Sequence, residues 1–243
     1  MFNSNALMVI VSVVAGFLAA LILGKIFVPM LRALKAGQSI REEGPKWHNS
    51  KSGTPTMGGI VFICASLLCA LTGLPALLKT GDYSHLLVLG LAIMFGLIGF
   101  YDDFIKVKKK RNLGLTGIQK LLLQIAAAAV FLVAMHFSGN LSYELKFPFV
   151  KEALCTVPVP VYLAVAVFII VGCVNAVNIT DGIDGLASGV TTPVMLFFTL
   201  VSMLANKAGL STFPATLTGA LAGFLFYNFY PAKTLWATPA LCS

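Results

Sequence analysis

Apolar residues fall in seven long blocks, at about 6–28, 58–74, 86–101, 121–137, 158–178, 187–205 and 212–230, separated by polar stretches. A helix needs roughly 20 predominantly apolar residues to cross a bilayer core. Backbone inside lipid must satisfy its own hydrogen bonds, which a helix does. Each block therefore predicts a transmembrane α-helix, the second and third being short and the least sharply bounded. Between the fourth and fifth, residues 138–157 alternate polar and apolar positions around Leu145–Val150, which predicts a small surface hairpin. With no internal repeat or linker, the predicted fold is all-α: one polytopic membrane helical bundle of seven spans.

Composition narrows the class. Of 243 residues, 58% are apolar and 11% charged, with a mean hydropathy of +0.91. Soluble domains are nearer half apolar and about a quarter charged. The charge deficit excludes a solvated globular surface, a disordered chain and a coiled coil. The five cysteines include no C-x-x-C pair, so they read as packing residues rather than zinc ligands or disulfides. The first block lacks a basic flank and a small-residue cleavage site, and reads as a retained span.

The net charge of +8 is informative through its placement. Residues 29–57 carry Arg32, Lys35, Arg41, Lys46 and Lys51, and residues 102–120 carry Lys106, Lys108, Lys109, Lys110, Arg111 and Lys120. The alternate loops hold only Lys79, then Lys146 and Lys151, then Lys207. Eleven against four, in strict alternation, predicts cytoplasmic basic loops and an outside N-terminus. This distribution argues for membrane lipid and against nucleic acid as a partner. Alternation also puts Glu42, Glu43, Asp102, Asp103, Asp181 and Asp184 inside, six of the nine carboxylates.

Three constellations can carry chemistry. Asp102 and Asp103 close the third block in GFYDDFIK. Adjacent like charges near a low-dielectric boundary repel unless a cation lies between them. Lys106, four residues on from Asp102, can neutralise one, and a divalent ion bound with phosphate oxygens and water suits the pair better. Next, Asn178, Asp181 and Asp184 lie three residues apart in NAVNITDGIDGL, and Gly182 and Gly185 allow close backbone approach to a ligand. A plain interfacial turn is the bland alternative. Third, the loop IREEGPKWH…GTPTMGG offers Lys46, His48, Thr54 and paired glycines to phosphates. The run Lys108–Arg111 reads as topogenic and lipid-headgroup binding, and His136 as structural.

The strings REEGPKWH, GTPTMGG, GFYDDFIK, QKLLLQ, NAVNITDGIDGLASG and FLFYNFYPAK resemble, in order, those of the phospho-N-acetylmuramoyl-pentapeptide transferases of bacterial peptidoglycan synthesis. The Asp pair and the later Asp cluster are shared by the wider polyprenyl-phosphate sugar-1-phosphate transferase superfamily, whereas the first-loop strings are more specific. The resemblance implies a ten-span bundle in the inner membrane. It implies transfer of phospho-N-acetylmuramoyl-pentapeptide from UDP-MurNAc-pentapeptide to undecaprenyl phosphate, giving lipid I and UMP, with Mg²⁺ as cofactor. By position it implies Asp102, Asp103 and Asp184 as catalytic, and Asp102, Asp103 and Asp181 as metal ligands. Lys46, Thr54, Lys106, Lys120 and Asn178 would bind substrate. A homodimer stays open. A transferase acting on UDP-N-acetylhexosamine is the near alternative. A transporter is disfavoured because transporter sites lie near the bilayer midplane.

The resemblance breaks at residue 234. Where the family continues with FMGDTGSLFLGG, three more spans and a His-rich loop, this chain reads TLWATPALCS. Codons for the family string, with one T deleted, translate as Leu-Trp-Ala-Thr-Pro-Ala-Leu-Cys-Ser and a stop, matching residues 235–243. The expectation is an incomplete transferase domain, 1–233, followed by a frameshifted tail, 234–243, and a product that does not turn over substrate. Resequencing around codon 234, or UMP release by the purified protein, tests this.

Overall fold

The computed structural model describes residues 4–33, 55, 57–109, 114–146 and 153–236. Among them, seven stretches are helical, long and apolar enough to cross a membrane: 5–33, 59–80, 84–106, 117–137, 159–180, 186–204 and 208–228. The first is α1 (Ser4–Ala33). The second is broken into α2 (Gly59–Ser66), α3 (Cys69–Thr72) and α4 (Leu74–Thr80). Then follow α5 (Ser84–Lys109), α6 (Gly117–Phe137), α7 (Val159–Thr180), α8 (Leu186–Leu204) and α9 (Ala208–Asn228). Strands β1 (Glu144–Lys146) and β2 (Ala153–Thr156) form the expected hairpin, antiparallel with Leu145 opposite Cys155.

Two spans differ from the hydrophobic pattern. The second runs to Thr80 rather than 74, and the third to Lys109 rather than 101. Hydropathy ends where charges begin, but a helix does not. Lys106 bridges the carboxylates one turn back on α5, the spacing that supports a helix across polar residues. Asp102 and Asp103 consequently lie within α5, not beyond it.

The core runs along α9, most of which is buried, and its closest partner is α1. Small residues make that approach possible. A Cβ on Gly219 would strike the carbonyl of Val13, and one on Gly223 would lie 2.6 Å from the carbonyl oxygen of Phe17. Backbone-to-backbone contact of this kind replaces the hydrophobic drive that lipid removes. Ala20, Val61, Ala65, Ala220 and Phe224 complete the seam between α1, α2 and α9. Tyr227 donates from its hydroxyl to the carbonyl of Leu21 at 2.7 Å, tying the end of α9 back to α1.

Seven traverses place the foot of α5, the start of α6 and the residue 180–186 and 228–236 turns at one end. Asn5, Thr80, Asp82, Asn140 and Lys207 meet at the other, around a cavity of about 810 Å³. At that second end His136 contacts the Tyr143 hydroxyl at 2.6 Å, and Tyr143 packs edge-on against Tyr162, the structural setting expected for His136.

Candidate active site

At the first end, α5 presents Asp102 and Asp103, both almost fully buried. Lys106 Nζ lies 2.8 Å from Asp102 Oδ2 and 3.6 Å from Asp103 Oδ1. The second oxygen of Asp102 accepts from the amide of Leu115 at 2.8 Å. Gly114 permits this turn, because a Cβ there would collide with the Asp102 carboxylate and lie 2.9 Å from Lys106 Cε. Thr116 then starts α6 with a reciprocal cap: its hydroxyl accepts from the Gln119 amide and its own amide donates to Gln119 Oε1. Lys120 follows in the first turn of α6, half-buried.

α6 is locked to α7 by an amide pair, buried Gln124 and half-buried Asn175. Asn175 Nδ2 donates to Gln124 Oε1 at 2.7 Å and to its own helix at Val171 O. This pair lies one turn from Lys120 on α6 and one turn from Asn178 on α7. Hydrophobic blocks gave no hint of it, although two amides in apolar runs were the available signal.

The Asn178–Asp184 constellation resolves into helix and turn. Asn178 sits in the last turn of α7, Asp181 is its buried C-cap, and residues 181–185 form the reversal into α8. Gly185 has φ +76°, a left-handed conformation that a side chain would strain, and this makes the sharp re-entry into α8 possible. Asp184 Oδ2 accepts from the backbone amide of Ala232 at 3.1 Å, so the segment after α9 is strapped across the turn.

That strap also holds Pro55, Gly58 and Gly59 of the GTPTMGG string. Leu235 N and Thr234 Oγ1 both donate to Pro55 O at 3.0 Å, while the amides of Gly58 and Gly59 donate to Leu235 O and Trp236 O at 2.8 and 2.9 Å. Thr234 and Leu235 are buried, so residues that the sequence reading assigns to the tail pack into the described fold. Lys46, Thr54, His48 and Lys110–Arg111 lie outside the described residues.

Beside the Asp pair opens an apolar cleft of about 370 Å³ between α2 and α5, walled by Phe62, Ile63, Leu97, Phe100 and Trp236, with Asp103 on its lining. A buried acid on the wall of an apolar cleft suits an amphiphile with a polar head.

The Asp pair fits the kind of donor set that Mg²⁺ uses, since that ion takes one or two carboxylates and completes its shell from phosphates and water. Among the described residues, however, no three His, Cys, Asp or Glu side chains gather closely enough to hold a metal. The structure thus does not assemble Asp102, Asp103 and Asp181 around one point. The first two are drawn to Lys106 on their own helix, and Asp181 caps another.

Comparison with known proteins places the chain. Residues 85–236 match the glycosyl transferase family 4 model, and residues 51–63 match signature 1 of the phospho-N-acetylmuramoyl-pentapeptide-transferases. A protein of that name from Caldanaerobacter subterraneus subsp. tengcongensis is 46% identical over 225 residues, 93% of this chain and 68% of the relative. Those from Clostridioides difficile and Bacillus licheniformis are 44% and 41% identical, with 66% and 68% of their own lengths covered. With its seven spans, the chain is a multi-pass membrane protein that belongs to the phospho-N-acetylmuramoyl-pentapeptide transferase family.

Proposed function

We propose that the acid-bearing end faces the bacterial cytoplasm and forms part of a site that transfers phospho-N-acetylmuramoyl-pentapeptide from UDP to undecaprenyl phosphate. The carrying observation is the position of Asp103 on the wall of the apolar cleft, with Lys106 beside it. A lipid phosphate needs an apolar channel for its chain and a polar terminus for its head. The donor is water-soluble, so the two can meet only at an interface, where the basic loops and these acids lie.

In the reaction, an oxygen nucleophile attacks the phosphorus that carries the sugar, a new P–O bond forms, and the bond to UMP breaks. The protein's share of such a transfer is positioning and charge neutralisation. Lys106 neutralises the buried pair and stands next to the acceptor phosphate. Asp102, with one oxygen on Leu115 N and the other on Lys106, keeps a fixed orientation. Asp103 faces the cleft, and the 181–185 turn, strapped through Asp184, offers its backbone and acids to the nucleotide. Mg²⁺ held by Asp102 and Asp103 would neutralise charge on the phosphates.

By the resemblance, residues 237–241 stand where the family has GDTGS and its acid, so binding rather than turnover is the quantity this chain is expected to report. A photoreactive prenyl phosphate should label the cleft around Phe62, Phe100 and Trp236, and geranylgeranyl phosphate should compete while geranylgeraniol does not. Equal competition by the alcohol would show that the cleft takes apolar chains without reading a phosphate, and would contradict the proposal.

A further inference from the structure

Most hydroxyls in these helices turn back on their own backbone. Thr192 donates to Ser188 O, Thr199 to Met195 O and Thr216 to Thr212 O, each four residues earlier. Ser188 does not. Fully buried one turn after Asp184, its hydroxyl donates to Asn228 Oδ1 on α9 at 2.9 Å and accepts from Trp236 Nε1 at 2.7 Å. Asn228, also fully buried, passes the connection on by donating from Nδ2 to Thr234 O at 3.1 Å. Thr234 in turn donates to Pro55 O, and Ala232 N closes the circuit on Asp184.

We propose that Ser188 is a positioning residue. Through Asn228 and Trp236 it fixes the strap, and the strap fixes two segments far apart in sequence: the Asp181–Asp184 turn and the Pro55–Gly59 end of the signature loop. The chemistry supports a hub rather than a filler. A buried donor or acceptor stripped of its partner keeps its full desolvation cost, and Ser188 satisfies one of each. Trp236 also walls the cleft that holds Asp103, so the hub joins the nucleotide side of the proposed site to its lipid side. The assignment of those sides rests on the transferase reading; the hub itself rests only on the hydrogen bonds.

Amide hydrogen exchange separates the two. The protein in nanodiscs, with Trp47→Phe so that Trp236 is the sole tryptophan, is compared with Ser188→Ala, Asn228→Asp and Thr199→Ala. Asn228→Asp keeps the acceptor for Ser188 and removes the donor to Thr234, while Thr199→Ala removes a buried hydroxyl that serves only its own helix. Ser188→Ala should raise exchange about tenfold or more at Gly58 and Gly59 and across residues 181–186, and shift Trp236 fluorescence. Asn228→Asp should do so at Gly58 and Gly59, and Thr199→Ala at neither segment. Exchange at Gly58 and Gly59 that is unchanged in Ser188→Ala, or raised equally by Thr199→Ala, would overturn the proposal. On the same samples, UDP-MurNAc-pentapeptide affinity should fall several-fold in Ser188→Ala. A parent protein that binds no nucleotide would instead count against the transferase reading and leave the hub to be judged by exchange.

Discussion

At the foot of α5, two buried carboxylates share one lysine, and the lysine is drawn from the same helix. At the turn between α7 and α8, Asp184 has the backbone amide of Ala232, delivered from the far end of α9. The first arrangement balances charge locally. The second uses a carboxylate as a fastening between distant segments. The difference predicts different responses: the α5 end should be sensitive to charge and to ions, the turn to hydrogen-bond geometry and little to either.

The largest effect is expected from Lys106→Ala. Removing one partner of a buried ion pair typically costs about 3–5 kcal/mol, and here two acids lose the same cation. Thermal unfolding should show a large drop in Tm that millimolar Mg²⁺ partly restores, with a smaller Mg²⁺ shift in the parent. Equal shifts in both would mean that the ion does not take the lysine's place. Next comes Gly114→Ala, which pushes the 114–115 turn off Asp102 and should cost about 1–3 kcal/mol, the usual range for overpacking. If it is silent, the Leu115 amide is not what orients Asp102.

Asp184 sharpens the contrast. Asp184→Asn keeps an oxygen for the Ala232 amide and should leave Tm nearly unchanged, whereas Asp184→Ala should cost about 1 kcal/mol, the net worth of one hydrogen bond. Equal losses in the two would point to charge at the turn after all. The smallest effect is expected at the opposite end, from Asp82. Burial alone would raise its pKa, but two hydrogen bonds from Ser84, together with His85 and Lys207, hold it below the ordinary carboxylate range. A depressed folded pKa stabilises above the unfolded value, about 3.9, and that contribution is lost as pH falls through the folded value. Asp82→Asn should therefore be slightly less stable at neutral pH, with the gap closing in acid.

Seven hydrophobic blocks were enough to read the spans, because lipid imposes length and polarity on every helix that crosses it. The hairpin and the 181–185 turn were legible too, from alternation and from Gly182 and Gly185. What was not legible depends on contacts between distant segments. The i,i+4 spacing of Asp102 and Lys106 was legible in GFYDDFIK, but hydropathy alone ended the span at 101; that Lys106 reaches both acids and that α5 runs on to Lys109 is seen only in the fold. Ser188 and Asn228 read as ordinary small polar residues in apolar runs; only the packing of α8 on α9 and the return of Thr234–Trp236 gives them partners. The resemblance implies Asp102, Asp103 and Asp181 as one metal-binding set, yet they lie on two helices and, among the described residues, do not gather around one point.

In the proposed site, the acid-bearing end binds the nucleotide-linked donor with help from a divalent ion at the Asp pair. Calorimetric titration of UDP-MurNAc-pentapeptide into the protein in nanodiscs tests it most directly, with Mg²⁺ or with EDTA, in the parent and in Asp103→Asn. The predicted result is at least tenfold weaker binding when either the ion or the Asp103 charge is removed, with no further loss when both are. Equal affinity in all four titrations, or no binding in any, would contradict it.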